Sequence, residues 1–326
     1  MRYSLIIPVY NRPDEVAELL ESLAQQSFTD FEVLIVEDGS TLPCKQVVEP
    51  YADKLTISYY TKPNSGPGGT RNYGAPKSNG DYLIFLDSDC VLPSRYLAEV
   101  DSELTAHPCD AFGGPDAAHS SFTPMQKAVN YAMTSFFTTG GIRGGKKQLE
   151  TFHPRSFNMG IKKTVYEALG GFADMRYGED IDFSIRIFEQ GYQVRLFSSA
   201  YVFHKRRTNM RKFFFQVYHS GAVRIDLYKK HPSSLRIVHF LPTTFMLGTL
   251  SLLVCSAICV YALLPILLFI VLVCADATIK NKSLRIGCLA VVTSFVQLFG
   301  YGSGFLKSFV QKIILRKGLE NSETRR

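Results

Sequence analysis

The stretch "SLIIPVYNRPDEVAELLESLAQQSFTDFEVLIVEDGS", Ser4 to Ser40, decides the fold. An apolar run (Ser4–Val9) leads into Asp14–Gln25, where Val16, Leu19, Leu20 and Leu23 recur at helical spacing, and then into a second apolar run, Phe31–Glu37. Continuous apolar strands joined by an amphipathic helix predict a βαβ unit, since parallel strands are covered by helices on both faces. The rhythm continues outward. "LTISYY" (Leu55–Tyr60) and "YLIFLD" (Tyr82–Asp87) read as further strands, with a helix beginning near Thr70 between them. The fold class is therefore α/β, a mostly parallel sheet flanked by helices.

In such sheets ligands collect at the carboxyl ends of the strands. Polar residues stand there in this chain: Tyr10 and Asn11 after the first run, Asp38 and Ser40 after the second, Asp87 and Asp89 after the fourth. In "LIFLDSDCVL" (Leu83–Leu92) a buried strand runs into two carboxylates separated only by Ser88. Hard divalent cations prefer such oxygen ligands, although two solvated turn-forming aspartates would look the same in isolation.

Three further motifs carry candidate chemistry. "NSGPGGTRNYGA" (Asn64–Ala75) is a Gly-rich loop opening a helix, able to present backbone N–H groups and Arg71 to a nucleotide, but it lacks the Gly-Lys-Ser/Thr of a Walker A loop. "YGEDIDF" (Tyr177–Phe183) places Glu179 and Asp180 at a helix start, where the macrodipole favours acids and where a catalytic base could also sit. His204 closes "AYVFH", as a structural histidine or as a metal or phosphate contact.

Between Cys109 and Phe157 the periodicity weakens, and "TTGGIRGGKK" (Thr138–Lys147) reads as a loop. Helices return at Lys162–Phe172, ended by Gly170, and at Glu179–Tyr192, ended by Gly191.

Charge divides the chain after His204: 18 Lys and Arg against 25 Asp and Glu before it, 18 against 4 after it. Ile237–Ala275 runs 39 residues without a charged side chain and Ile286–Leu306 a further 21. A helical crossing takes roughly 20, so about three membrane helices are expected. The expected organisation is a catalytic domain over 1–204, a basic and aromatic linker on the membrane surface over 205–236, transmembrane helices over 237–306 and a basic tail over 307–326. Anionic headgroups suit the linker better than nucleic acid does, given the apolar span beside it.

The first apolar run is too short for a signal-peptide core, so the first domain is expected in the cytosol, and together with the later apolar runs this predicts a multi-pass protein of the inner membrane. One strain remains. A crossing by 286–306 would put Lys307, Lys312, Arg316 and Lys317 outside, against the positive-inside rule, so either this stretch is re-entrant or lies in the interface, or the first run crosses only once. The seven cysteines are dispersed and form neither a disulfide framework nor a CxxC metal site.

Ser4–Ser40, "NSGPGGTRNYGA", "YLIFLDSDC", "NMGIKKTVYEALGGF" and "YGEDIDFSIRIFEQGY" follow one another in an order that resembles a family 2 glycosyltransferase of the GT-A fold, over roughly residues 3–204. The resemblance implies that Pro8, Val9 and Tyr10 line the nucleotide, that Asp38 and Arg71 contact the base, and that Asp87 faces the ribose or sugar. It makes Asp89 the ligand of a divalent metal, Mn²⁺ or Mg²⁺, with His204 as a second ligand. Asp180 becomes the base, with Glu179 in support, while Asn158, Gly170 and Gly171 fall on the acceptor side. The implied reaction is inverting transfer from a nucleotide sugar.

The apolar segments point to a membrane-associated acceptor, a lipid-linked saccharide or glycolipid of cell-surface polysaccharide synthesis. Tryptophan is absent from the chain, and with it the Gln/Arg-x-x-Arg-Trp motif of processive members, so transfer of one or a few sugars is expected. A metal-dependent nucleotidyltransferase and a catalytically inactive membrane scaffold are the competing readings.

Overall fold

Both apolar runs of the opening stretch become strands, β1 (Tyr3–Val9) and β2 (Phe31–Asp38), paired in parallel and joined by α1 (Pro13–Ala24). All eight residues of β2 are buried, as a strand covered on both faces requires. Helix α1 starts with Pro at its first position, where the missing N–H costs nothing, and packs Val16, Leu19, Leu20 and Leu23 onto the sheet. Then come α2 (Lys45–Val48), β3 (Ile57–Lys62), α3 (Gly66–Gly74), β4 (Tyr82–Leu86), β5 (Cys90–Val91), α4 (Tyr96–Ala106), β6 (Ala111–Gly113) and β7 (Asp116–Ala117).

The computed structural model describes residues 2–117, 119, 122–140, 152–206 and 208–316. After β7 come α5 (Pro124–Thr134), α6 (Phe136–Thr139), β8 (Asn158–Lys162), α7 (Lys163–Ala168), α8 (Glu179–Glu189), β9 (Val194–Leu196) and β10 (Val202–His204). Four long helices close the described chain: α9 (Met210–Lys230), α10 (Leu241–Cys255), α11 (Leu264–Asn281) and α12 (Leu284–Phe309).

Two compact units result. Met1–His119 with Phe152–Lys205 forms the first, and Ser120–Thr151 with Arg206–Arg326 the second. The first holds a seven-stranded sheet of order β3-β2-β1-β4-β8-β6-β9 and a small sheet of order β5-β10-β7. Strands β1 to β3 build outward in one direction, and β4 then pairs with the other side of β1. That reversal opens a crevice at the carboxyl ends of β1 and β4.

Some elements differ from the sequence reading. Helix α3 begins at Gly66 rather than near Thr70, because a carboxylate outside the helix holds its first N–H groups. Strand β8 lies in "NMGIK", a stretch not read as a strand, and runs antiparallel to both β4 and β6. Helix α7 is shorter than expected, since Gly170 and Gly171 both have positive φ and end it.

Helix α5, within the stretch read as patternless, opens on a capping box between Thr123 and Gln126 with Pro124 at its first position. It groups with the C-terminal helices, not with residues 1–119. Gly141–Lys147 of the expected loop and residues 317–326 of the expected tail lie outside the described residues.

In the second unit, Val260–Asn281 and Leu284–Ile314 are long and apolar enough to cross a membrane, whereas Leu241–Cys255 is shorter.

Candidate active site

Asp38 is the last residue of β2, and its carboxylate is committed to the Gly-rich loop. It accepts from the backbone N–H groups of Ser65 (2.8 Å) and Gly66 (2.9 Å) and pairs with Lys62 Nζ at 2.7 Å. Burial alone would raise this carboxyl, but Lys62 and the loop N–H groups outweigh it and hold the group below its ordinary value. Lys62 is the register partner of Asp38 across the β2–β3 pair. Beside it, Asn11 ties the end of β1 to the same loop cluster, accepting from Leu42 N–H at 2.8 Å, and Tyr10 stands half exposed at the strand's end.

Arg71 lies inside the unit and not on a surface that a base could reach. Its side chain is 2% exposed, with one terminal nitrogen 2.6 Å from Asp87 Oδ1 and the other 3.1 Å from Glu179 Oε1. Phe172 lies under the guanidinium at 5.5 Å from ring centre to Cζ. A single cation on α3 therefore ties the end of β4 to the start of α8.

The two carboxylates of "DSD" part company. Asp87 turns to Arg71, while Asp89 meets His204 Nε2 at 3.1 Å through Oδ1 and Arg12 Nη1 at 2.8 Å through Oδ2. The small sheet explains this meeting, because β10 pairs antiparallel to β5 with His204 opposite Cys90. The backbone N–H of Lys205 donates to the Asp89 carbonyl (3.0 Å), and the His204 ring stacks on Phe157 at 4.8 Å.

Asp87 Oδ2 lies 3.9 Å from the same imidazole nitrogen, and Asp89, Cys90 and His204 offer ligand atoms within 4.8 Å of one another. Burial pushes the Cys90 thiol up, and it donates to the Phe157 carbonyl. What remains for an ion is carboxylate oxygen, which suits Mn²⁺ or Mg²⁺, and one imidazole nitrogen, with no thiolate for a thiophilic metal.

Glu179 and Asp180 open α8 behind Gly178, whose φ of +76° is the left-handed conformation that glycine adopts freely. Burial and the neighbouring Asp180 push the Glu179 carboxyl up to about 7 in spite of Arg71. Asp180 moves the other way. Burial would raise it, but Arg155, whose Nη1 lies 3.2 Å from its Oδ2, and Arg71 hold it below its ordinary value. Asp180 is thus ionised at neutral pH and able to accept a proton.

Asp38, Arg71, Asp87, Asp89, Glu179, Asp180 and His204 are all held by ion pairs or hydrogen bonds of this one crevice edge. Other candidates stand apart. Asn158 is fully buried, its side-chain oxygen taken by the Tyr96 hydroxyl (2.6 Å) and its amide by the Ala200 carbonyl (2.8 Å). Gly170 and Gly171 end α7, where a Cβ on Gly171 would lie 2.6 Å from Asn72 Oδ1.

Sequence reasoning missed three cations. Arg12 had a signal, since it follows Tyr10 and Asn11 at a strand's ligand end; Lys62 had one in its position at the end of β3; Arg155 had none.

Known proteins bear on this geometry. A solved structure titled mannosyltransferase PcManGT from Pyrobaculum calidifontis, in complex with GDP-Man and Mn²⁺, superposes with a TM-score of 0.68 at 15% identity, covering 94% of this chain and 87% of that one. Staphylococcus aureus TarS 1–349 in complex with UDP-GlcNAc superposes at 0.51 with 19% identity, over 94% and 91% of the two chains. At such identities the likeness is one of fold.

By sequence, the poly(ribitol-phosphate) beta-N-acetylglucosaminyltransferase TarS of Staphylococcus aureus is 37% identical over 114 residues, which is 34% of this chain and only 20% of that protein. An uncharacterized glycosyltransferase of Haemophilus influenzae is 29% identical over 223 residues, 64% of this chain and 70% of its own length. The model of the family "Glycosyl transferase family 2" matches residues 4–170, half of the chain, taking in β1, the Gly-rich loop and both carboxylates of "DSD": the chain belongs to glycosyl transferase family 2.

Proposed function

We propose that the protein transfers a sugar from a nucleoside-diphosphate donor to a hydroxyl of a membrane-associated acceptor, a lipid-linked saccharide or glycolipid, with inversion at the anomeric carbon. The observation that carries this reading is the placement of Asp180 at the start of α8, 3.2 Å from Arg155 and next to Glu179, whose partner Arg71 also fixes Asp87. The acceptor oxygen attacks the anomeric carbon, the bond from that carbon to the diphosphate oxygen breaks with its electron pair leaving on the diphosphate, and the hydroxyl proton passes to the Asp180 carboxylate.

Arg155 keeps that carboxylate unprotonated and oriented before attack. Asp89 and His204 would hold a divalent cation, which supplies positive charge against the leaving diphosphate. Arg71 keeps Asp87 and Glu179 in place, and the Gly-rich loop fixed by Asp38 faces the nucleotide side. The absence of a charged residue from Ile237 to Ala275 supports an acceptor presented at a bilayer.

The test is to incubate membranes containing the protein with a panel of nucleotide sugars and Mn²⁺ or Mg²⁺, with and without lipid extract. Nucleoside diphosphate released in a lipid-dependent manner is the expected product. Pyrophosphate release would assign nucleotidyl transfer, and no turnover of any donor would favour an inactive scaffold.

A further inference from the structure

Helix α12 passes as a membrane span by length and composition, but its neighbours do not belong in hydrocarbon. Its first half lies against α5, where the Thr293 hydroxyl donates to the Ala128 carbonyl (2.9 Å) and Ile286 and Ala290 pack with Ala128 and Tyr131. Its second half lies along α9 so closely that a Cβ on Gly304 would come within 2.0 Å of the Tyr218 carbonyl oxygen, and Lys312, one turn past the helix, pairs with Asp226 at 2.5 Å. Helix α9 carries Arg211, Lys212, Arg224, Asp226, Lys229 and Lys230, and α5 carries Lys127. Charges at that density stay out of the bilayer core, and α12 must share their depth.

Helices α10 and α11 are placed differently. The foot of α10 rests on the C-terminal part of α12, with Phe240 against Phe305 (5.0 Å) and the Thr243 hydroxyl on the Gly302 carbonyl (3.2 Å). The foot of α11 rests on the N-terminal part, with Val273 and Ala277 against Ile286 and Ala290. Phe245 and Phe269, one from each arm, meet Phe295 near the middle of α12 at 5.8 and 5.5 Å. Beyond these contacts the arms stand alone: residues 250–268 contain no buried position and no charge.

The tip between the arms is built for an apolar solvent. Ile258 is 96% exposed, yet the backbone N–H groups of Ser256, Ala257, Ile258 and Cys259 all donate within the turn, and the Ser256 hydroxyl bonds the Leu253 carbonyl. These four N–H groups are satisfied within the chain, which lowers the cost of taking them out of water. Helix α10 has 15 residues, and the uncharged part of the second arm, Val260–Ala275 before Asp276, has 16. At about 1.5 Å per residue each arm reaches about 22–24 Å, short of the roughly 30 Å of a bilayer core.

We infer that the second unit engages the bilayer from one side only: the α10–α11 hairpin dips into the hydrocarbon and returns, while α12 lies at the interface and crosses nothing. Both ends of α12 then face the same aqueous side. The positive-inside conflict disappears with it, because Lys280, Lys282 and Arg285 share the cytosolic face with Lys307, Lys312 and Arg316. This rests on the membrane association proposed above and adds its topology.

The test uses the full chain with Cys255, Cys259, Cys274 and Cys288 changed to Ala, and K282C, R316C and I258C introduced one at a time at exposed positions. Each is treated with a membrane-impermeant maleimide in vesicles of both orientations. The expected result is labelling of K282C and R316C only where the cytosolic face is outward, and protection of I258C in both orientations until detergent is added. Labelling of K282C and R316C from opposite faces would overturn the proposal by showing that α12 crosses, and labelling of I258C from the far face would do so for the hairpin. Recovery of the unlabelled chain in the soluble fraction after vesicle sedimentation is a separate failure, one that removes the membrane reading itself.

Discussion

Two pairs of adjacent acids face the crevice, Asp87 with Asp89 and Glu179 with Asp180, and they divide in the same way. In each pair one member turns inward to Arg71, whose side chain is 2% exposed, and the other meets a more accessible arginine: Arg12 (29% exposed) on Asp89, Arg155 (21%) on Asp180. The inner ion pairs join three elements, and at Glu179, whose side chain is 9% exposed, little solvent can replace a lost partner. The outer arginines sit at more accessible positions where a ligand can exchange with them, and Asp89 keeps His204 as a second partner. Acids one or two residues apart are thereby sorted into framework and working groups by the cation each one meets.

Removing the shared inner cation is the most severe way to break this division. Arg71→Ala leaves Glu179 buried without its counter-ion and Asp87 partly so, and loss of one member of a buried pair costs about 3–5 kcal/mol. Because Asp87 is a third exposed, the lower end of that range is expected, read as a reduced urea midpoint of the purified full chain in detergent. An unchanged midpoint would mean that Arg71 is not structural and would return it to the nucleotide site. Asp180→Asn should leave the fold and donor binding intact while lowering turnover by roughly 10²–10⁴, the usual contribution of a general base. Isothermal titration separates the two roles, since lost nucleotide binding in that variant would place Asp180 on the donor side.

The sheet was legible because strands buried on both faces need unbroken apolar runs, and β1, β2 and β4 have them. Strand β8 was not, since "NMGIK" owes its conformation to β4 and β6 on either side, partners remote in sequence. The carboxylates and His204 were legible from their positions at strand ends. Their division was not, because Arg12, Arg155 and Arg71 reach them across 77, 25 and 108 residues of chain in the contacts to Asp89, Asp180 and Glu179. Asn158, inside a family-like motif, is placed as a buried tie between β8, α4 and the segment before β10, contacts the sequence does not announce.

The mildest probe concerns the outer contact on Asp89. If Arg12 holds the place of a cation there, Arg12→Ala should strengthen Mn²⁺ binding in the absence of nucleotide, because the ion would no longer displace a guanidinium from Oδ2. A partly exposed pair is worth about 0.2–1 kcal/mol, so the gain should be about 1.4- to fivefold, measurable from the free Mn²⁺ signal in electron paramagnetic resonance. Asp89→Ala is the reference, since it removes the carboxylate that Arg12 and the ion would share. Equal or weaker Mn²⁺ affinity in Arg12→Ala would show that the arginine supports the metal site instead of competing for it, and the symmetry between Arg12 and Arg155 would fail at that point.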